Sequence, residues 1–362
     1  MYVRGIVAPS KYYQGNGLLE DLYPYIGFIG KKFAVVTDDF VYGLCKDKLD
    51  ISFREVDGEW YYIPFGGEST MVEGERIAEV VRRNATDGII GLGGGKAIDS
   101  AKLAANLTRL PIVIIPTTAS TDAPCSSMSV VYDKTGNYIQ SIKMRANPDI
   151  VLVDTGVIAK APVRTLIAGM GDGLSTFYEA RACRASGTLN FASIFGCEAA
   201  YALAKLCNDL ILEYGVAAKK AVEKGEWCEA LEKIVEANIY LSGLGFENNG
   251  LAIAHGVYNG LCAICKPLHA LHGECVAYGT LVQLAAEDAS DEEWRTLINF
   301  YKAVGLPLSL DALGVTNADE VLLKKIVEAI CTVSRHPHHM PFPVTSESIL
   351  SAIKTVKKRT EA

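Results

Sequence analysis

No stretch of the 362 residues approaches the roughly eighteen uninterrupted apolar residues that a bilayer-crossing helix needs. A membrane-embedded protein is therefore not expected. Concentrated charge of one sign is missing as well. The formal net charge of −7 is spread along the chain, and the longest basic group, Lys357, Lys358 and Arg359, reads as a solvated tail. Nucleic acid and anionic membrane surfaces both require a concentrated positive face, so neither is an expected partner. The opening residues Met1, Tyr2, Val3 and Arg4 lack the apolar segment of a secretory signal. The ten cysteines stand scattered in apolar helical segments, as at Cys183, Cys197, Cys207 and Cys228, which is how reduced core cysteines are used. A cytoplasmic location is the expectation. Internal repeats and low-complexity segments are also lacking.

What is present is ordinary globular material, 49% hydrophobic and 21% charged, over a length that suits two domains rather than one core. In the first half, short β-branched runs alternate with helical patterns. Phe33–Thr37 (FAVVT), Gly88–Leu92 (GIIGL), Ile112–Ile115 (IVII) and Ile150–Val153 (IVLV) are apolar throughout; helical spacing intervenes at Glu75–Asn84 and Ala97–Leu107. Such strands, alternating with helices, predict a parallel sheet covered on both faces. After about Pro162, strand signals fade and helices are predicted over Leu166–Ala185, Ile194–Tyr214, Trp227–Leu241, Leu251–Ala263 and Glu274–Ala286. The expected fold is an α/β N-terminal domain with a parallel sheet (1–160), then an all-α C-terminal domain (161–362), with a ligand cleft between them.

The turn Gly91-Leu92-Gly93-Gly94-Gly95-Lys96 follows a strand and opens a helix. Backbone N–H groups there can face an anion without Cβ interference, and the helix N-terminus adds partial positive charge. The strict dinucleotide fingerprint fails, because Lys96 stands at its third glycine. The P-loop pattern fails too, with Ile90 at its first glycine and Ala97 at its Ser/Thr. Phosphate binding and a plain structural turn both stay open. Asp38 or Asp39, just beyond FAVVT, suits an adenosine ribose diol and would repel a 2′-phosphate, which favours NAD over NADP. Capping of the next helix is the competing reading.

Three of the six histidines fall in AHGVYNGLCAICKPLHALHGE: His255, His269 and His272. His255 has small neighbours, Ala254, Gly256 and Gly260, which permit another backbone to come close. His272 opens the following helix, and Asp172, in Gly171-Asp172-Gly173, is placed at the beginning of a third. Two imidazoles and a carboxylate from three helices would hold a divalent ion with one position open, a set that suits Zn²⁺ and also Fe²⁺. A lone helical histidine is more often a satisfied core residue, and spacing by itself does not separate the two. Cys262 and Cys265 form a CxxC without a second pair or a thioredoxin-like context, so core packing is expected. His336, His338 and His339 flank Pro337 in a predicted loop at the surface or cleft edge.

The runs GGGKAIDSAK, PTTASTDAPCSSMSVVY, NPDIVLVDT, LSGLGFENNGLAIAHGVYNG and HGECVAYGTLVQLA closely resemble glycerol dehydrogenases, of the group called iron-containing alcohol dehydrogenases. The resemblance extends from Ser10–Gly15 (SKYYQG) to His338–Thr345 (HHMPFPVT). It implies a dinucleotide-binding α/β domain, a helical domain, and a metal in the cleft between them. By the same resemblance, Asp172, His255 and His272 bind zinc, and Asp122 touches the polyol. Asp38 would hold the ribose, with Gly94, Gly95, Lys96 and Asp99 at the phosphate turn and its helix. Thr117, Thr118 and Ser120 would form a second nucleotide loop, and Ser126, Met128 and Tyr132 the nicotinamide side.

Thr176 stands where iron-using relatives carry a fourth ligand, a histidine four residues after the aspartate, which points to the three-ligand zinc pattern. Tyr258 replaces the second histidine of the usual AHxxHNG, and Asn248 and Asn249 replace the SG of the usual GFESGG. If these residues face the substrate, its identity shifts while the chemistry does not.

The resemblance implies metal-dependent oxidation of glycerol, or a related vicinal diol, to dihydroxyacetone with NAD, and the reverse reduction. The metal would act as Lewis acid on the substrate hydroxyl, and His269 is a candidate for the proton's exit. A homo-oligomer is implied, the family often being octameric. The competing readings are a dehydrogenase of the same fold acting on a hydroxy acid or hydroxyketone, a dehydroquinate-synthase-like lyase, and a regulatory module without catalysis. The lyase would need basic residues for a substrate phosphate, and LSGLGFENNG and HALHGE supply none.

Overall fold

Strands that are apolar on both sides must be covered on both sides, and the structure places them accordingly. A computed structural model describes residues 2–316 and 318–361. Its strands are β1 (Arg4–Gly5), β2 (Lys11–Gly15), β3 (Lys32–Thr37), β4 (Glu59–Pro64), β5 (Gly88–Gly93), β6 (Ile112–Pro116), β7 (Met128–Tyr132), β8 (Tyr138–Lys143), β9 (Ile150–Asp154) and β10 (Phe195–Gly196). Among them run α1 (Tyr23–Ile26), α2 (Asp39–Ser52), α3 (Met71–Arg83) and α4 (Gly95–Thr108). Six strands form one parallel sheet in the order β2-β9-β6-β5-β3-β4. Alternate residues face opposite cores. Phe33, Val35, Ile90 and Leu92 pack under Leu19, Leu22, Val41 and Leu49, whereas Ala34, Val36 and Ile89 join a core that continues into the helical half.

That half comprises α5 (Thr155–Ile158), α6 (Val163–Ser186), α7 (Glu198–Val222), α8 (Glu229–Val235), α9 (Ser242–Asn249), α10 (Ile253–Ile264), α11 (His272–Ala286), α12 (Asp291–Val304), α13 (Glu320–Thr332) and α14 (Ser346–Glu361). A π-helical turn, Glu236–Leu241, joins α8 to α9, so the helical path continues to Asn249 instead of stopping at Leu241. The helix expected over Ile194–Tyr214 begins later and ends later, as α7. Asn190 Oδ1 accepts from the N–H groups of Ala192 and Ile194, Ser193 takes a left-handed φ of 61°, and Phe195–Gly196 pairs with Arg4–Gly5 as β10. The edge strands β2 (KYYQG) and β4 (EWYYIP) lie outside the predicted strands, and only one residue of β4, Ile63, is fully buried. Among the described residues no helix is long and apolar enough to cross a membrane.

Glycines set the spacing of the central helices. A Cβ on Gly279 of α11 would overlap the carbonyl of Ala254 on α10, and one on Gly273 would overlap the carbonyl of Ala168 on α6. Gly260 meets the backbone of Ile330 on α13, with 2.8 Å between its would-be Cβ and that nitrogen. Gly→Ala inside a helix ordinarily stabilises by up to about 1 kcal/mol. At Gly279 the sign should reverse: Gly279→Ala should lose on the order of 1–3 kcal/mol in urea unfolding of the metal-free protein, as overpacking does.

Candidate metal and cofactor site

Asp172 lies in the middle of α6, not at its beginning, and is fully buried. The flanking glycines do not break the helix; they let neighbours in. A Cβ on Gly171 would come 2.5 Å from the carbonyl oxygen of Gly273, and one on Gly173 would come 2.6 Å from Ile211 Cδ1. The first contact brings α11 against α6 beside His272, the first residue of α11. His255, on the third position of α10, comes from the other side. His272 Nε2 is 3.2 Å and His255 Nε2 3.5 Å from Asp172 Oδ1. One donor atom from each of the three residues lies within 4.8 Å of the others.

Neither oxygen of Asp172 has a hydrogen-bond partner, although both are sealed from solvent. A buried carboxylate without donors is costly unless a cation faces it. Two ring nitrogens aimed at the same point complete a donor set of the mid-hard kind that Zn²⁺ and Fe²⁺ accept. The residues therefore fit a divalent ion. Burial alone would raise the Asp172 pKa, but the two imidazoles, His272 foremost, hold it well below the usual carboxylate range. Burial alone would lower His255, yet Glu179 and Asp172 push it well above the usual imidazole value.

Glu179, which sequence reasoning missed, faces the other ring nitrogen of His255 at 2.7 Å. A legible signal existed: Asp172 and Glu179 are seven residues apart on one helix, two turns along the same face. The second predicted set also converges here. Asp122 is buried after β6, and its Oδ2 accepts from Ser242 Oγ at 2.6 Å; Ser242 Oγ is in turn 2.9 Å from Thr176 Oγ1. Burial first, and the charge of Asp172 second, push the Asp122 carboxyl well above its usual pKa.

Of the residues expected to bind a cofactor, Asp38, Gly94, Gly95 and Lys96 lie beyond the C-terminal ends of β3 and β5, where the strand order reverses direction, the usual ligand crevice of an open α/β sheet. Gly94 is the N-cap of α4, and a Cβ on Gly94 or Gly95 would meet nothing within 4 Å, so the turn opens onto free space. Lys96 is exposed and pairs with Glu68 Oε2 at 2.7 Å, with Tyr132 beneath it at 5.2 Å. Asp38 caps α2, its Oδ1 accepting from the Val41 N–H at 2.9 Å, and it remains only partly buried. The capping reading is thus what the structure displays, and it leaves Oδ2 available. Thr117 follows β6, with Thr118 Oγ1 3.2 Å from Ser120 Oγ. Ser126, Met128 and Tyr132 follow along the loop and β7.

The other residues singled out in the sequence are placed as follows. Asp99 points inward, 5% exposed, and accepts from the Val130 N–H at 3.1 Å; burial raises its pKa to about 6. It supports β7 through that bond. Asn248 and Asn249 do not face a substrate: Asn248 bonds both the N–H and the carbonyl of Val7, at 2.7 and 2.8 Å, and Asn249 bonds the carbonyl of Ala200. Tyr258, by contrast, does reach the site, its ring edge-on to His272 with centroids 4.3 Å apart. His269 is exposed and outside the ligand cluster. Cys262 and Cys265 are unpaired thiols. His336 packs near Phe191 and His339, and its Nδ1 is sealed without a partner.

Residues 9–155 match the family described as iron-containing alcohol dehydrogenase. Over 97% of its length the chain is 41% identical to the glycerol dehydrogenase of Citrobacter freundii, covering 96% of that protein. The glycolaldehyde reductase of Halobacterium salinarum is 38% identical over 96% of this chain and 95% of its own. The crystal structure of glycerol dehydrogenase from Schizosaccharomyces pombe superposes with a TM-score of 0.95 at 37% identity, covering all of this chain and 92% of that one. The chain belongs to the iron-containing alcohol dehydrogenase family and, within it, to the glycerol dehydrogenases.

Two outcomes are expected. Zinc at about a thousand times its Kd should stabilise the protein by about 4 kcal/mol; Asp172→Asn should abolish that shift in thermal unfolding. Burial lowers His336 from 6.5 to about 4, so between those values the unfolded chain binds more protons than the folded one. Stability present above pH 6.5 is lost as pH falls toward 4, and His336→Phe should flatten that part of a Tm–pH curve.

Proposed function

We propose that this chain oxidises glycerol, or a closely related vicinal diol, at a secondary hydroxyl with NAD, and catalyses the reverse reduction. The observation that carries the reading is the doubly unpartnered Asp172 carboxylate facing two imidazole nitrogens, beside a second buried aspartate, Asp122. When bound at these places, a divalent ion supplies Lewis acidity toward the substrate hydroxyl, and NAD supplies the hydride acceptor. Everything else is done by side chains of the chain itself. Asp172, His255 and His272 would hold the ion. Thr176 supports Zn²⁺ over Fe²⁺: its hydroxyl is engaged with Ser242, so α6 offers no fourth ligand there.

Asp122 would orient a second substrate hydroxyl, its own position set by Ser242. Burial, and then the charge of Asp172, pushes its carboxyl upward. The loop that carries it is held from both sides. Lys102 Nζ donates to the carbonyls of Ala123 and Met128 at 2.6 and 3.0 Å, and Glu247 accepts from the N–H and hydroxyl of Ser127 and from Asn147. Gly94, Gly95 and Lys96 would meet the cofactor phosphates, and Asp38 the ribose diol. Thr117, Thr118, Ser120, Ser126, Met128 and Tyr132 would line the rest of the cofactor site. Residues 1–160 and 161–362 would act as the two walls of the cleft, in a cytoplasmic homo-oligomer.

A hydroxyaldehyde or hydroxyketone reductase is the second reading, favoured by the likeness to a protein named glycolaldehyde reductase. A panel of glycerol, propane-1,2-diol, hydroxy acids, simple alcohols and glycolaldehyde separates the two. The expected result is that vicinal diols lead with NAD, that NADP fails, and that a chelator abolishes turnover. Higher kcat/KM for hydroxy acids than for every diol would sink the proposal. Tyr258→Ala should alter the ranking among diols by about tenfold, with metal content unchanged.

A further inference from the structure

Glu179 uses both of its oxygens, and uses them differently. It is fully buried on α6, seven residues beyond Asp172. Its Oε1 accepts from the backbone N–H of Ala252 at 2.7 Å and of His255 at 2.9 Å, buried donors that the start of α10 leaves without an intrahelical partner. Its Oε2 lies 2.7 Å from His255 Nδ1. An ionised carboxylate can only accept, so the hydrogen in that contact belongs to Nδ1. When His255 gives up a proton to bind a metal, it is a neutral imidazole with its one N–H on Nδ1, and Nε2 is left with its lone pair. Nε2 is the atom that faces Asp172 Oδ1, at 3.5 Å.

We infer that Glu179 is a positioning residue that fixes the tautomer of His255 and thereby makes Nε2 available to a divalent ion. The inference rests on the metal reading of Asp172, His255 and His272. Carboxylates behind metal-bound histidines commonly act in this way. A purely architectural role is the alternative, because Oε1 caps α10 and ties it to α6.

Glutamine separates the two roles. In Glu179→Gln the amide oxygen must keep the two backbone N–H groups, since turning the amide would set its NH₂ against both of them. Its NH₂ then faces Nδ1, which must accept. The imidazole hydrogen moves to Nε2, points at Asp172, and no lone pair is left for the ion. The cap survives while the ligand is lost. Glu179→Ala does the reverse: the cap is lost, but either tautomer is free to form.

The experiment uses the full chain as wild type, Glu179→Gln, Glu179→Ala and Asp172→Asn, each stripped with chelator. Zn²⁺ affinity is measured by competition with a chromophoric chelator, Co²⁺ binding by its visible absorption, and metal-free stability by thermal melting. Glu179→Gln should melt within a few degrees of the metal-free wild type, bind Zn²⁺ about 10–100-fold more weakly, and lose the wild-type cobalt bands. Glu179→Ala should melt lower yet bind Zn²⁺ more tightly than Glu179→Gln. Binding by Glu179→Gln within about twofold of wild type, too small a loss for a misplaced ligand, would overturn the inference while leaving the metal site standing. So would a Glu179→Ala that binds more weakly than Glu179→Gln, or a Glu179→Gln that does not fold without metal. Wild type that binds neither ion, indistinguishable from Asp172→Asn, would remove the metal reading itself and the inference with it.

Discussion

A carboxylate sealed from water with no hydrogen-bond donor is the constraint around which this molecule is arranged. Left alone, the Asp172 charge would be among the most expensive features of the interior. What makes it tolerable is convergence: α6 supplies the charge, and α10 and α11 each bring an imidazole to the same oxygen. That convergence demands helices packed more closely than ordinary side chains allow. Gly171 against Gly273, and Gly279 against Ala254, are backbone-to-backbone contacts that no larger residue would permit. Metal chemistry and helix packing are therefore one requirement seen at two scales.

Three buried carboxylates stand in line, and their surroundings give each a different character. Glu179 is held ionised against the cost of burial by His255 and two backbone donors. Asp172 is held ionised by two imidazoles and keeps both oxygens free of donors. Asp122 receives a single hydroxyl and feels the charge of Asp172, so its carboxyl is pushed the other way. Groups of one chemical type, differing only in what faces them, thereby acquire the different characters that an anchor, a proposed metal ligand and a proposed substrate contact would need. The loop bearing Asp122 is fixed by Lys102 from α4 and by Glu247 from α9, so its geometry precedes any ligand.

Much of this was legible in the chain. The four central strands, the glycine turn and the long helices follow from hydrophobic period and from Gly and Pro placement. The meeting of Asp172, His255 and His272 followed from their motifs, because a divalent site needs particular donor types. Less legible was whatever depends on partners distant in sequence. β2 is a half-covered edge made a strand by pairing with β9, whereas the aromatic run Trp60–Ile63 of β4 is itself a strand signal. Asp99 sits one turn into the phosphate helix, and only the rotation of α4 shows that it faces β7. Asn248 and Asn249 occupy a motif adjacent to His255, yet their amides close on Val7 and Ala200. Gly171 and Gly173 look like a flexible break; in place they are contact points inside an unbroken helix.

Thr176 shows how a missing ligand can be put to use. One turn beyond Asp172, it stands where a fourth donor would complete a coordination shell. A hydroxyl there is too short-reaching and too weakly basic to compete with imidazole, and it turns instead to Ser242, which bonds Asp122. The helix proposed to hold the metal thus also holds, through two hydroxyls, the carboxyl expected to orient the diol. With a histidine at this place the ion would gain a ligand, and the Thr176 hydroxyl that braces Ser242 would be gone. A three-residue shell leaves the ion an open position for the substrate and leaves α6 free to brace Asp122. On the proposed reading, metal coordination and diol positioning would be coupled through one side chain, which neither a list of ligands nor a list of substrate contacts would include.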